Sequence, residues 1–319
     1  MAKAKTSKKS KAKKTKMRYA VQRHIEVSPL NTSSKNILDV PRFLSEANHR
    51  LYRQSRVYRS KINILAPTSE GNGLVHVYVL RDTWMLQKSY QMAKDTFDKN
   101  TVEERSGISP VNMARWQDFR ISLTPAPGQN YNPLRPTARR NDNLVKTTFN
   151  NGEFVNSIVT NESSTDMVFG LHEVTNARFG IMNEYDKTAD VDDDPANTVS
   201  GQSISPYGGL DNDNDDGSRN HLQTAGNSPP YDPDSLGADN MFRRVATLGG
   251  GVAAFPGATN VNSKTTTGFF DAPLGMILIE VTDATTVPEV ELEVASGDYK
   301  GVHGEAYLDL TKKFAHRKG

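Results

Sequence analysis

Short runs rich in β-branched and aromatic residues recur along most of the chain, with Gly, Pro, Asn or Asp between them. In the clearest run, PEVELEVASG, the residues Val290, Leu292 and Val294 alternate with glutamates. Strict alternation predicts a strand with one face against a core and the other in water. Further strands are predicted in SRVYRSKINILA, LVHVYVLR, RWQDFRISL, NLVKTTF, EFVNSIVTN, TDMVFGLHEV, ARFGIM, MFRRVATL, LGMILIEVTD and EAYLDLTKKF.

Two segments have helical rather than strand periodicity. PRFLSEANHRLYRQ predicts a short helix that begins near Pro41, and Leu86, Tyr90, Ala93 and Phe97 predict an amphipathic helix in the segment DTWMLQKSYQMAKDTFDKN. The regular strand–helix alternation of a Rossmann-like fold is missing. We therefore predict an all-β fold, a single antiparallel jelly-roll sandwich with one or two inserted helices and a disordered basic N-terminal arm.

The basic charge is concentrated at the N-terminus. Residues 1–23 contain ten basic and no acidic residues, whereas the rest of the chain has 29 basic and 37 acidic residues, a net charge of −8. Such an arm has too little apolar surface to fold alone, and its lysines suit sequence-independent contact with phosphates. The residues assigned to this contact are Lys3, Lys5, Lys8, Lys9, Lys11, Lys13, Lys14, Lys16, Arg18 and Arg23. An import or solubility tag is the compatible alternative.

The predicted domain boundary lies at residue 40. Residues 1–40 are expected to form the disordered basic arm and a polar linker, which includes NTSSKNILDVP, and residues 41–319 the jelly-roll domain. Within that domain, residues 184–240 are expected to form a long acidic surface loop or projection. Residues 184–239 alone have a net charge of −11.

A second basic patch, RLYRQSRVYRSK, contains no acidic residue. Its tyrosines, Tyr52 and Tyr58, could stack on unpaired bases, which favours single-stranded nucleic acid as a ligand. The alternative is a solvated helix end that runs into an edge strand, where basic residues also guard against aggregation. The basic residues assigned to this patch are Arg50, Arg53, Arg56, Arg59 and Lys61.

The acidic segment includes a candidate calcium site in DNDNDDGSRNHLQ, with Asp211, Asp213, Asp215 and Asp216 as the ligands. The EF-hand register fails there, because Gln223 stands where a bidentate Glu belongs. A solvated acidic loop is therefore the default interpretation, and a structural Ca²⁺ is the only cofactor considered.

Motifs for catalysis are missing. The seven histidines show no HExxH spacing, no GxSxG is present, and TLGGGVAAFPG lacks the Lys-Ser/Thr ending of a phosphate-binding loop. The chain has no cysteine, no apolar run long enough for a membrane span and no recognisable secretion signal. We predict a protein that is not an enzyme and has no membrane partner.

The layout of arm, linker, β-rich domain and inserted helix, with the MRYAVQRH and YRSKINIL…VHVYVLRDTW segments, resembles capsid proteins of small non-enveloped icosahedral viruses. It is most similar to those of single-stranded DNA viruses with circular Rep-encoding genomes, such as the bacilladnaviruses of diatoms, whose capsid domain is similar to the nodavirus-type jelly roll. The C-terminal self-cleavage of nodavirus-type proteins depends on a buried Asp; no residue of this sequence is assigned to that site, and cleavage is not part of the prediction.

The resemblance implies a structural protein that self-assembles into an icosahedral shell and packages the viral genome through its lysine-rich arm. The partners would be other copies of the chain and a genome, single-stranded DNA with RNA as the alternative. The localisation would be the virion, with the host nucleus as an assembly compartment. The arm would face the genome, and the acidic loop would face outward and limit adhesion between particles.

Two rival functions stay open from the residues alone. One is a cellular nucleic-acid-associated protein with a basic tail, such as a ribosomal or chromatin factor, although its acidic loop would repel the ligand. The other is a calcium-binding β-sandwich adhesin or carbohydrate-active domain, although the lysine arm is foreign to that class. Closed shells would separate a capsid protein from both, and a calcium-dependent melting shift would favour the adhesin.

Overall fold

The computed structural model describes residues 20–65, 74–105, 116, 118–123, 130–150, 167–169, 179–182, 241–249, 265–282 and 288–307. This part of the chain is predominantly β. The helices are α1 (Val40–Asn48) and α2 (Trp84–Arg105). The strands are β1 (His24–Val27), β2 (Lys35–Asp39), β3 (Arg56–Ile64), β4 (Leu74–Leu80), β5 (Ser122–Leu123), β6 (Tyr131–Pro133), β7 (Pro136–Arg139), β8 (Lys146–Thr148), β9 (Met167–Phe169), β10 (Phe179–Gly180), β11 (Phe242–Leu248), β12 (Phe270–Ala272), β13 (Met276–Thr282), β14 (Val290–Val294) and β15 (Gly304–Ala306).

Two large sheets form the body of the molecule. The first has the strand order β12-β3-β14-β1-β7-β8, with β15 paired to the first residues of β3, and the second has the order β11-β4-β13-β2-β6. A small third sheet, β10-β9-β5, lies in the insertion between β4 and β11. The all-β prediction is confirmed, whereas the purely antiparallel arrangement is wrong for β2–β6, β5–β9 and β9–β10, which pair in parallel.

The first sheet is buried on one face and the second sheet on both faces, and this difference explains their sequence patterns. Ile25, Tyr58 and Leu292 from the first sheet pack against Val77 and Ile279 from the second in one core cluster. The opposite face of the second sheet is buried as well, by α2 and the small sheet. β13 is therefore apolar almost throughout, whereas β14 alternates because the outer face of the first sheet meets water.

Both predicted helices are confirmed. Asp39 caps α1, since its Oδ1 accepts the N–H of Arg42 at 3.0 Å, and Pro41 lies in the first turn, where its missing N–H costs nothing. α1 ends where His49 adopts a left-handed conformation with φ 49°. Thr83 Oγ1 accepts the N–H of Leu86 at 3.3 Å at the start of α2. Among the described residues, no helix is long and apolar enough to cross a bilayer.

The predicted boundary at residue 40 is wrong, because the fold begins earlier. β1 pairs with β14 and β7, and β2 pairs with β13 and β6, so residues 24–39 belong to the two large sheets. The polar look of the predicted linker is misleading, since Asn36 is fully buried. Its Nδ2 donates to the carbonyl of Asn31 at 2.9 Å and to that of Ile279 at 3.2 Å. Residues 1–19, and with them the expected disorder of the arm, lie outside the described residues.

Several shorter strand predictions are confirmed only in part. RWQDFRISL contributes β5, NLVKTTF contributes β8, TDMVFGLHEV contributes β9 and ARFGIM contributes β10, each two or three residues long. EFVNSIVTN and the acidic segment 184–240 lie outside the described residues. Where the structure describes it, the insertion between β4 and β11 consists of α2 and brief strand pairings.

Gly275 joins the two sheets at one end, and we expect Gly275→Ala to lower the free energy of unfolding by about 3 kcal/mol or more. Its φ is +69°, and a Cβ there would overlap Pro41 Cδ and lie 3.1 Å from the Tyr58 ring. Gly268→Ala is the matched control, because Gly268 has a similar φ of +72° with nothing within 4 Å of a Cβ. That control is expected to lose only the conformational term, about 1 kcal/mol. Equal losses in chemical denaturation would contradict close packing at Gly275.

Candidate nucleic-acid interface

The chain enters the described fold beside the end of α1. The Asn48 side chain accepts the N–H of Gln22 at 2.7 Å and donates to the Gln22 carbonyl at 3.0 Å. The next residue, Arg23, accepts the N–H of Val294 at 2.9 Å through its carbonyl, and its side chain is half-buried. The arm lysines and Arg18 lie outside the described residues, but the point from which the arm departs is therefore fixed at the C-terminal end of α1.

The residues just after α1 form a cationic cluster with a residue from the C-terminal part of the chain. The Arg56 guanidinium carbon lies 3.6 Å from the centroid of the Tyr299 ring, and the Lys300 ammonium lies 5.5 Å from the same centroid. The Arg53 N–H donates to the Tyr299 hydroxyl at 3.2 Å. We call Arg50, Arg53, Arg56 and Lys300 the basic cluster.

The electrostatics of the basic cluster are those of a set of like charges. Burial lowers the pKa of Lys300, and the neighbouring Arg53, Arg56 and Arg50 lower it further. Asp118 acts in the opposite direction. Positive charges brought together in this way attract anions.

The predicted patch is only partly a single surface. Arg50, Arg53 and Arg56 belong to the basic cluster, but Lys61 forms an ion pair with Glu293 and is neutralised within the first sheet. Arg59 is exposed and lies in a separate pocket beyond the cluster. The edge-strand alternative is wrong, because β3 lies between β12 and β14.

The tyrosines of the patch do not stack on bases. Tyr52 and Tyr58 are both 0% exposed and belong to the core. The Tyr52 hydroxyl donates to the carbonyl of Lys300 at 3.0 Å, and the Tyr58 hydroxyl donates to the carbonyl of Arg53 at 2.6 Å. The proposed stacking role is therefore wrong for both. They hold the backbone of the basic cluster in place instead.

The outer face of the first sheet is charged but internally compensated. Arg139 donates to Glu26 at 2.9 Å and to Glu289 at 3.1 Å, and Lys146 lies 3.1 Å from Glu289 and 3.3 Å from Glu26. Burial alone would raise the pKa of Glu26, but hydrogen bonds from Arg139 and Lys146 bring it below its usual value. This face therefore offers little net positive charge to a polyanion, in contrast to the basic cluster.

The candidate calcium ligands Asp211, Asp213, Asp215 and Asp216 lie outside the described residues, so the calcium hypothesis stays a prediction. Within the ranges that the structure does describe, no three His, Asp or Glu side chains are grouped as metal ligands. Lys300 could not be predicted from the sequence, because its partners in the basic cluster are about 250 residues away in the chain and no local pattern links them.

Comparisons with protein-family models, curated proteins and solved structures found no match to this chain. A function for this chain is therefore inferred from the strand pairing, the point where the arm leaves the described fold and the charges given above.

Proposed function

We propose that this chain is the capsid protein of a small non-enveloped virus. It assembles with copies of itself into a closed icosahedral shell and packages a genome through its lysine-rich arm. The genome is single-stranded DNA, with RNA as the alternative, and the mature protein resides in the virion after assembly in the host nucleus.

The strand pairing supports a jelly roll as the finer description of the fold. The eight strands β1, β2, β3, β4, β11, β12, β13 and β14, taken in chain order, pair in a nested way: first with eighth, second with seventh, third with sixth and fourth with fifth. All four pairings are antiparallel. This is the pattern of a long eight-stranded hairpin rolled into two sheets, the arrangement shared by capsid proteins and lectin domains.

Two further pairings complete the two sheets of the proposed roll. β14 pairs with β3 and β13 pairs with β4, both antiparallel, which gives the orders β1-β14-β3-β12 and β2-β13-β4-β11. α1 lies between the second and third strands, and α2 with the small sheet lies between the fourth and fifth. α2 and the small sheet cover the outer face of the second sheet, and β6 and β7 of the same insertion pair with the edge strands β2 and β1. The pairing among the eight strands stays intact.

The observation that carries the capsid function, as opposed to other uses of such a fold, is where the arm begins. Gln22 and the basic cluster lie at the same end of the sandwich, because the end of α1, the start of β1 and the start of β3 meet there. The chain therefore leaves the described fold on the arm side next to the basic cluster, so a polyanion bound by the arm would lie within reach of the cluster. Many such arms facing one cavity would condense a genome.

The test is electron microscopy of the purified full-length chain together with its absorbance at 260 and 280 nm. We expect closed particles of uniform size with the absorbance ratio of a nucleoprotein. A matched sample in about 1 M salt is expected to lose nucleic acid, since phosphate contacts weaken as salt rises. A small monodisperse species without nucleic acid at low salt would overturn the proposal, and a melting shift with added calcium would favour the adhesin.

A further inference from the structure

A partly enclosed pocket of about 660 Å³ opens near the basic cluster, where the two large sheets meet the start of α2. It is lined by residues from β3, β4, β11, β12 and β15, and by Thr83, which caps α2. Its size lies within the range of ligand-binding pockets, about 300–1,000 Å³. None of the functions proposed above uses it.

Three arginines from distant parts of the chain line this pocket: Arg59 on β3, Arg81 directly after β4 and Arg243 on β11. All three side chains are exposed, and within the described part of the chain none of their guanidinium groups has an ion pair or a side-chain hydrogen bond. Asp271 lies directly opposite Arg59 in the β12–β3 register, yet no ion pair joins them. The donor capacity of three guanidinium groups is therefore available to a ligand.

The start of α2 contributes polar groups to the pocket. Asp82 and Thr83, immediately before Trp84, line it, and the Asp82 carboxylate offsets the partial positive charge of the helix start. The attraction for an anion therefore comes from the three arginines. Arginine forks are the geometry that matches phosphate oxygens in two-point contact.

The remaining walls of the pocket suit more than a bare phosphate. Val57 is half-buried and, next to the buried Leu80 and Pro273, gives the pocket a small apolar side, against which the edge of a flat ring can lie. The carboxylates of Asp271 and Glu305 can accept hydrogen bonds from hydroxyl or amino groups. A phosphate, a sugar with hydroxyl groups and a heterocyclic base together make up a nucleotide.

We propose that this pocket binds one nucleotide, with its phosphate held by Arg59, Arg81 and Arg243 and its base against Val57. The nucleotide comes either from a nucleic-acid strand or from free nucleotides in solution. The inference does not rest on shell formation or on the arm, because the described residues that line the pocket all belong to the body of one chain.

The test is a titration of the full-length chain with a 5′-mononucleotide, monitored by calorimetry in about 0.3 M salt to suppress binding by the arm. We expect saturable binding of one nucleotide per chain. Arg243→Ala is expected to weaken it about tenfold or more, since one charge-assisted hydrogen bond contributes about that much. Arg81→Ala should act in the same direction.

Arg244→Ala is the matched control, because Arg244 is the next residue of β11, is equally exposed and does not line the pocket. The affinity of the Arg244→Ala variant for the mononucleotide is expected to stay within about twofold of that of the parent chain. Equal affinities of the Arg243 and Arg244 variants, or binding that never saturates, would overturn the proposal. Because all variants keep the arm and the body, this result is independent of whether particles form.

Two further probes identify the source of the nucleotide. A short single-stranded oligonucleotide that binds more tightly than the mononucleotide, with the same loss in Arg243→Ala, supports a strand as the natural ligand. Equal affinity for both supports free nucleotide. Pyrophosphate that binds as tightly as the mononucleotide would contradict the part of the proposal that assigns the base to the apolar wall.

Discussion

Replacement of the eight arm lysines, Lys3 to Lys16, by glutamine lowers the affinity of the chain for single-stranded DNA by about three orders of magnitude or more at low salt. Each ammonium group that meets a phosphate releases condensed counterions, and that entropy gain is lost with the charge. If all eight lysines contact phosphates, the slope of log K against log salt becomes shallower by about 5 to 6. Fluorescence anisotropy over a series of salt concentrations measures both quantities.

A matched comparison uses three lysines at a time. Lys35, Lys94 and Lys146 are each ion-paired with a carboxylate in the folded body, so their replacement by glutamine changes the net charge of the chain by the same amount as three arm lysines. We expect replacement of Lys8, Lys9 and Lys11 by glutamine to lower the affinity for single-stranded DNA far more than replacement of the three ion-paired lysines. Similar losses in the two triple variants would mean that net charge, and not the arm, controls binding.

The eight-lysine variant also separates the contribution of the arm to binding from that of the basic cluster. The residual affinity should follow from the basic cluster together with Arg18 and Arg23, with a correspondingly small salt dependence. If affinity and salt slope both stay at the parent values, the folded body carries the binding, and the packaging role proposed for the arm is wrong.

The main strands could be predicted because burial leaves a simple trace in sequence. β14 alternates since only one of its faces is buried, and β3 does so for the same reason over much of its length. The helices could be predicted from apolar spacing and, for α1, from Pro41 at its start. These signals are local, so a single sequence is enough to detect them.

The missed elements depend on partners far away in the chain. β2 looked like a linker because the buried Asn36 is polar, and its hydrogen bonds to Asn31, Asn132 and Ile279 make that burial favourable. The strands β5, β9 and β10 lie within predicted runs but are only two or three residues long, and they form through parallel pairing with one another. No periodicity can develop over so few residues.

The same difference between local and long-range signals applies to the candidate nucleic-acid interface. The local density of Arg50, Arg53 and Arg56 was visible in the sequence, and the structure brings these three residues close to where the arm begins. Tyr52 and Tyr58 were assigned to the surface because adjacent basic residues are polar, but an aromatic ring next to a charge is as easily a core residue. Lys300, Arg81 and Arg243 reach their places through tertiary structure alone.

The second large effect concerns Arg120, whose guanidinium is buried between two carboxylates. It forms an ion pair with Asp39, the cap of α1, and lies 3.8 Å from Asp118. The same Asp118 carboxylate accepts the N–H of Gln54 at 3.2 Å, so the group ties the insertion to the start of the domain. We expect Arg120→Met to lower the free energy of unfolding by about 3–5 kcal/mol, because it leaves buried carboxylates without a counter-charge.

Arg139→Met is the matched control for that substitution. Arg139 also bridges two carboxylates, Glu26 and Glu289, but on the outer face of the first sheet, where water screens the charges. Its loss is expected to cost far less in chemical denaturation than the loss of Arg120. Equal costs for the two variants would contradict a special role of burial at Arg120.

The pH dependence separates lost charge compensation from lost packing. Burial raises the pKa of Asp118, and Arg120 opposes that rise, so Arg120→Met should raise this pKa further. A carboxyl group with a raised pKa in the folded state stabilises the fold below its unfolded pKa, and this stabilisation is lost as pH rises through the folded value. The deficit of Arg120→Met relative to the parent chain should therefore be largest near pH 7 and shrink toward pH 5. A deficit that stays constant between these two pH values would mean that the variant loses packing and not charge compensation.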